Sequence, residues 1–188
     1  MYESSFPAAE RKPFAEIIRR SEADEYLCFV TQAENSIVAF ALLLPLPETN
    51  LTFLEYIAVD EAHQSKGLGG ELLRFIIKQI GTPLICEVEP PESENPNDEK
   101  KRRIQFYERL GGRVIQLSTC YRMPNFEAGS GGVSLLLMQT PLTEQPDEQR
   151  TTDLIQGIYV AAYPACKELR DEVLANLLSP KSGRGPTN

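Results

Sequence analysis

Two spacings of apolar residues alternate along the chain, and each predicts a different kind of element. Apolar positions three and four apart mark helices, and alternating or short continuous apolar runs mark strands. "AAERKPFAEIIRR", residues 8–20, puts Phe14, Ile17 and Ile18 on one side of a helix, with Pro13 near its start. "YLCFVTQ" (26–32) and "SIVAFALLL" (36–44) read as strands joined by a tight turn at Glu34-Asn35, the second closed by Pro45 and Pro47. Residues 51–60, "LTFLEYIAVD", form a third strand. A helix from about 67 to 80 follows, with Leu68, Leu72, Phe75, Ile76 and Ile80 as its buried stripe. "LICEVE", 84–89, is a fourth strand.

The polar, Pro-rich stretch "PPESENPNDE", 90–99, is a loop. A helix over roughly 98–110 ends at Gly111-Gly112, a C-terminal signal. "RVIQLS" (113–118) and "VSLLLMQT" (133–140) are strands on either side of a loop at 124–132. A polar linker, 141–150, leads to helices at 152–163 and 167–178. The expected organisation is a domain at 1–140, a helical extension at 141–180 packed on or beside it, and a disordered tail at 181–188.

Composition narrows the class. Apolar residues make up 41% of the 188 and charged residues 24%, which suits a folded domain with its own core. A net charge of −8 speaks against nucleic acid as a partner, because that binding needs a basic face. It suits a cationic acceptor and a solvated acidic surface equally well. The four cysteines, Cys28, Cys86, Cys120 and Cys166, form no C-x-x-C pair, and the single histidine, His63, completes no zinc set, so no metal is expected. Cys28 and Cys86 lie in apolar runs and read as core thiols in a reducing cytoplasm. No apolar run approaches a membrane span, and the N-terminus lacks the pattern of a signal peptide.

The chemistry concentrates in "LEYIAVDEAHQSKGLGGELLRF", 54–75, where a strand feeds a Gly-rich turn that opens a helix. Amide groups and the dipole at a helix N-terminus bind phosphate, and glycines allow it to approach the backbone. The turn is not a Walker A loop, and a dinucleotide fingerprint fails because its third glycine position is Leu72. What stands there is Gln64-x-x-Gly67-x-Gly69. "QSKGLG" after a strand, followed about 40 residues on by "RRIQFYERLGGR" at 102–113, resembles the two motifs of the GNAT superfamily of N-acetyltransferases.

The resemblance implies an α/β (α+β) fold: a single domain with a mixed, mostly antiparallel sheet flanked by helices. The sheet would be splayed between the 51–60 and 84–89 strands to admit acyl-CoA. It implies acetyl-CoA as cosubstrate. The pyrophosphate would lie on the backbone of Gln64, Ser65, Lys66, Gly67, Leu68, Gly69 and Gly70, and the pantetheine arm along Ile57, Ala58 and Val59. It places on Tyr107 the tyrosine that protonates the departing thiolate. The chain departs from the family in showing no strand before its first helix. Either its start is internal or the sheet lacks that edge strand. The 141–188 extension is a further addition, and its apolar stripes could cap the core or serve a partner or homodimer.

Acetyl transfer to an amine needs a base. Glu55, among apolar neighbours on the strand entering the turn, is ranked first, Glu87 second and Glu89 third, since partial desolvation would raise a carboxyl toward a useful range. Each has a plainer reading as a solvated strand charge. The expected activity is direct transfer in a ternary complex to a small-molecule or peptide amine. The alternative is a non-catalytic acyl-CoA-binding sensor on the same fold.

Overall fold

The computed structural model describes residues 1–93, 95, 98–129 and 131–178. The expected tail at 181–188 lies outside them. A short helix, Tyr2–Ser5 (α1), precedes Phe14–Glu22 (α2). Strands Leu27–Ala33 (β1), Ser36–Leu46 (β2) and Leu51–Val59 (β3) lead to helix Leu68–Ile80 (α3) and strand Leu84–Val88 (β4). Helix Glu99–Glu108 (α4), strands Arg113–Val114 (β5), Tyr121–Pro124 (β6) and Gly132–Thr140 (β7), and helices Glu148–Ala162 (α5) and Lys167–Leu178 (α6) complete the order.

The seven strands form one sheet in the order β1-β2-β3-β4-β7-β5, with β6 pairing the other half of β7. Every pairing is antiparallel except β3 with β4. This is the mixed, mostly antiparallel α/β sheet that the sequence predicted. Helices α3 and α4 cover one face, where Leu72, Leu73, Ile76 and Tyr107 pack on Ala39, Leu43, Leu54, Cys86 and Met138. Ile17 of α2, with α5 and α6, covers the other. There Leu154, Ile155, Ile158, Tyr159 and Val173 pack on Leu42, Phe53 and Ile85. Among the described residues no helix is long and apolar enough to cross a membrane.

Several boundaries differ from the sequence expectation, for physical reasons. Residues 8–10 form a separate 3-10 turn, and α2 begins only after Pro13. Ile17 is buried, but Phe14 is 59% exposed. Strand β2 runs through Pro45, which pairs with Thr52. Pairing with β1 stops at Leu43, so beyond it an edge tolerates a residue without an N–H. On α3 the buried stripe is Leu72, Leu73 and Ile76, whereas Phe75 is 54% exposed and meets the ring of Phe29.

Strand β5 is only two residues long; past it Ile115 N–H still donates to Leu137 O of β7, while the Gln145 side chain satisfies the outer edge, donating to Val114 O and accepting from Gln116 N. Strand β6 has no counterpart among the elements that apolar spacing predicts. Helix α5 starts earlier than expected, at Glu148, because Asp147 caps it by accepting from Arg150 N. Cys28 is exposed rather than in the core, since β1 is the sheet's edge, while Cys86 is buried.

Candidate active site

The site arises where two neighbouring strands stop pairing. Strands β3 and β4 pair only through Thr52–Leu84, Phe53–Ile85 and Leu54–Cys86. Beyond that point β3 continues to Val59 beside β2, and β4 to Val88 beside β7, so a gap opens between them. The first residue of β3 past the last pair is Glu55, and the corresponding residue of β4 is Glu87. Glu55 is also the extra residue of a β-bulge: Leu42 pairs with Tyr56 and Leu43 with Leu54, which leaves Glu55 without a partner. The bulge breaks strand alternation. Simple alternation would group Glu55 with Phe53 and Ile57. Instead, Ile57 packs with the α3–α4 core while Tyr56 packs with the opposite one.

A cavity of about 110 Å³ lies at this opening. Glu10, Glu55, Glu87, Glu89 and Arg103 are its charged lining, and Phe6, Ile57, Met123, Leu135 and Tyr163 are among its apolar and aromatic walls. The two central carboxylates are held differently. Glu55 forms an ion pair with Lys12, and their side chains are only 3% and 1% exposed. It also accepts a hydrogen bond from the Tyr26 hydroxyl. Burial pulls the Lys12 ammonium below its ordinary value, against the opposing attraction of Glu55. Glu87 is held by phenols instead of a cation: it accepts from the hydroxyls of Tyr121 and of Tyr163, the latter at 2.7 Å. Burial pushes its carboxyl up to about 7, although both phenol hydrogen bonds pull the other way. Glu89 sits at the rim, paired with Lys100 at 2.9 Å and Arg103 at 3.3 Å. Burial, reinforced by the charge of Glu89, raises the Glu10 carboxyl.

On the far side of the gap, the Gly turn forms the start of α3. Gly67 takes a left-handed conformation, φ +85°, at the N-cap, and no side chain among the described residues caps the helix. The first amides of α3 therefore carry no side-chain cap among the described residues, the arrangement that can hold a phosphate. At Gly69 a Cβ would stand 3.4 Å from the Val59 side chain, in van der Waals contact, so the turn lies close against β3 with room for no more than a small side chain. Gly70 lies against the guanidinium of Arg74, where a Cβ would be 3.5 Å from it, which brings in a cation that the motif itself does not contain. Lys66 turns back to Ala62 O instead. The Gln64 amide donates to Val59 O at 3.1 Å and ties the turn to the strand. Asp60 N–H points to Val38 O on β2. Backbone alternation then directs the groups of Val59 and Ile57 to the open edge, and those of Ala58 to β2.

The structure thus gathers Glu55, Glu87 and Glu89 at one cavity and sets Gln64 to Gly70 at the head of α3. Tyr107 is not among the cavity's lining residues. It is buried on the α3–α4 face of β4, hydrogen-bonded with Cys86, and burial raises its phenol well above the ordinary value. Burial also raises the Cys86 thiol, to about 12. Sequence reasoning missed Lys12, Tyr26, Tyr121 and Tyr163. No local pattern points to them, because their contacts with Glu55 or Glu87 span between 29 and 76 residues. The one available signal was Tyr163 at the end of an apolar helix, since a buried tyrosine needs a hydroxyl partner. Among the described residues no group of three or more His, Cys, Asp or Glu side chains could hold a metal.

Comparison with known proteins agrees with this architecture. The family model described as "Acetyltransferase (GNAT) family" matches residues 1–111, more than half of the chain. The protein belongs to the GNAT acetyltransferase family and is an acyltransferase. It is 28% identical over 145 residues to the Bacillus subtilis protein named "Putative acetyltransferase YjbC", covering 76% of this chain and 70% of that one. A GNAT-family structure from Bacteroides thetaiotaomicron superposes with a TM-score of 0.68 at 20% identity, over 84% of this chain and 86% of that one. The structure of an aminoglycoside 6'-N-acetyltransferase complexed with coenzyme A has the same fold, with a TM-score of 0.51 at 14% identity over 71% and 82% of the two chains. Coenzyme A is thus a ligand that this fold holds in a relative, and helices α5 and α6 lie beyond the matched family segment.

Proposed function

We propose that this protein transfers an acetyl group from acetyl-CoA directly to an amine, with Glu87 as the base. The observation that carries this reading is a buried carboxyl, pushed up to about 7, at the point where β3 and β4 part. An amine attacks a thioester only when neutral, and a base matched to neutral pH removes its proton most effectively. The carboxylate of Glu87 takes that proton while the amine nitrogen forms its bond to the carbonyl carbon and the carbon–sulfur bond breaks. Tyr107, kept protonated by burial, gives its phenol proton to the leaving sulfur from the α3–α4 side of β4, and the proton that Glu87 took restores the phenol so that the cycle balances.

Glu55, ranked first from sequence, has its carboxylate occupied by Lys12 and Tyr26, so we assign it to holding the bulge open. The uncapped start of α3, with Gln64 to Gly70 and Arg74, takes the pyrophosphate. The open edge of β3 at Ile57 and Val59 takes the amides of the pantetheine arm. The acceptor is an amine, small or peptide, and the reaction as written uses only side chains and the cosubstrate.

Titration calorimetry with acetyl-CoA, CoA and ATP, followed by thiol release with a panel of amines, tests the reading. We expect micromolar acetyl-CoA binding, little ATP binding, and release that depends on an added amine and fails in Glu87→Gln. Tight acetyl-CoA binding with no release for any amine would replace catalysis by sensing. Absence of acetyl-CoA binding would overturn the site altogether.

A further inference from the structure

We infer that Tyr163 is a positioning residue for the base, so that α5 is a working part of the active site. This rests on the assignment of Glu87 above. Tyr163 sits at the C-cap of α5, 52 residues past the end of the matched family segment. Its side chain is the joint between the two buried carboxylates. The hydroxyl donates to Glu87 Oε2 at 2.7 Å, and the ring face lies 5.1 Å from the Lys12 ammonium that neutralises Glu55. The ring is fixed by Phe53, Phe126 and Tyr159, at centroid distances of 6.5, 6.1 and 5.6 Å. A hydroxyl held this rigidly sets the direction of the Glu87 carboxylate, and Tyr163 lines the cavity beside it.

The groups that act most on Glu87 are Tyr163 at the C-cap of α5, Tyr121 from β6, Glu55 from β3 and Lys12 from the segment before α2, and the charged Glu10, Glu89 and Arg103 line the same cavity. Both tyrosines favour the carboxylate by hydrogen bonding. Removing one hydroxyl therefore raises the proton affinity of Glu87. Tyr159 is the internal control. It lies on the same helix, is equally buried, and donates its hydroxyl to Arg122 O at 2.5 Å rather than to a carboxylate.

The test is a carboxyl-carbon NMR titration of protein labelled at glutamate, with the Glu87 signal assigned by its loss in Glu87→Gln. Tyr163→Phe keeps every ring contact and should move the Glu87 midpoint upward by about one pH unit, the usual worth of a hydrogen bond to a charged group. Tyr159→Phe should leave it in place. If Tyr163→Phe moves the midpoint no further than Tyr159→Phe, the inference fails. The acidic limb of kcat/KM for an acceptor amine should follow the same shift. A midpoint that moves while the limb stays would keep Tyr163 as the partner of Glu87 and remove Glu87 as the base.

Discussion

Replacing Lys12 by Met removes one charge of a buried pair and leaves the other. The Lys12 and Glu55 side chains are 1% and 3% exposed, so solvent screens neither. Breaking such a pair from one side costs about 3–5 kcal/mol, because the surviving carboxylate stays desolvated without its counter-charge. Loss of the ammonium over the Tyr163 ring contributes up to about 2 kcal/mol more. For a chain of this size each kcal/mol lowers Tm by roughly 2–4 °C, so a total of about 3–7 kcal/mol should make Lys12→Met melt roughly 6–28 °C below the parent. Thermal and urea unfolding followed by circular dichroism reads this directly. The double variant Lys12→Met/Glu55→Gln removes the orphaned charge, while the new amide oxygen still accepts from Tyr26. It should recover more than half of the loss. The reasoning is refuted if Lys12→Met costs less than about 1 kcal/mol, the range of exposed pairs, or if the double variant is no more stable than the single one.

Two further outcomes follow from the same geometry. The folded Glu87 carboxyl, near 7, lies above its unfolded value, so its contribution to stability is full below about pH 4.5 and is lost as pH rises through about 7. Glu87→Gln should therefore raise Tm relative to the parent at pH 8 and lose that advantage near pH 4, and an equal Tm at both pH values would sink the burial argument. At Gly67 a Cβ meets no neighbour, but φ is +85°, so Gly67→Ala should fold with a cost of about 1–2 kcal/mol. It should also weaken acetyl-CoA binding about tenfold, roughly 1.4 kcal/mol. Gly81→Ala, at φ +68° on the other end of α3, carries similar strain and should leave calorimetric binding unchanged, whereas equal weakening in both would remove the turn from the cofactor site.

The turn is legible in the sequence because its function is a local property. A strand, a glycine in a left-handed conformation and a helix start follow one another within a few residues, and each leaves a mark in the sequence. The strands other than β6 and most helices are legible through periodicity for the same reason. Three failures share an opposite cause. Phe75 has a spacing on α3 that matches Leu68, Leu72 and Ile76, but the sheet beneath decides which side of a helix is covered, and it selects Leu73. β6 has too few residues to show a period, and only its pairing with Leu135 to Gly132 of β7 makes it a strand. The surroundings of Glu55 and Glu87 depend on tyrosines and a lysine that lie 29 to 76 residues away along the chain.

Glu55 shows how one irregularity connects fold and chemistry. In an unbroken β3, the residue after Leu54 would keep pairing with β2 and stay in register with β4. The bulge inserts an unpaired residue there, turns Glu55 and Tyr56 to the same face, and coincides with the end of the β3–β4 ladder. The carboxylate at that position repels Glu87 across the gap and helps to raise it, and Lys12 from the N-terminal segment offsets part of that charge. Tyr56 fixes that segment in turn, accepting from Lys12 N at 3.1 Å and donating to Glu10 O at 3.0 Å. With Glu55 held in its ion pair, Glu87 is the carboxyl at the gap that burial pushes up to about 7. The division of labour between two acidic residues in equivalent places on neighbouring strands thus comes from their partners: a cation and a phenol for one, two phenols and no cation for the other.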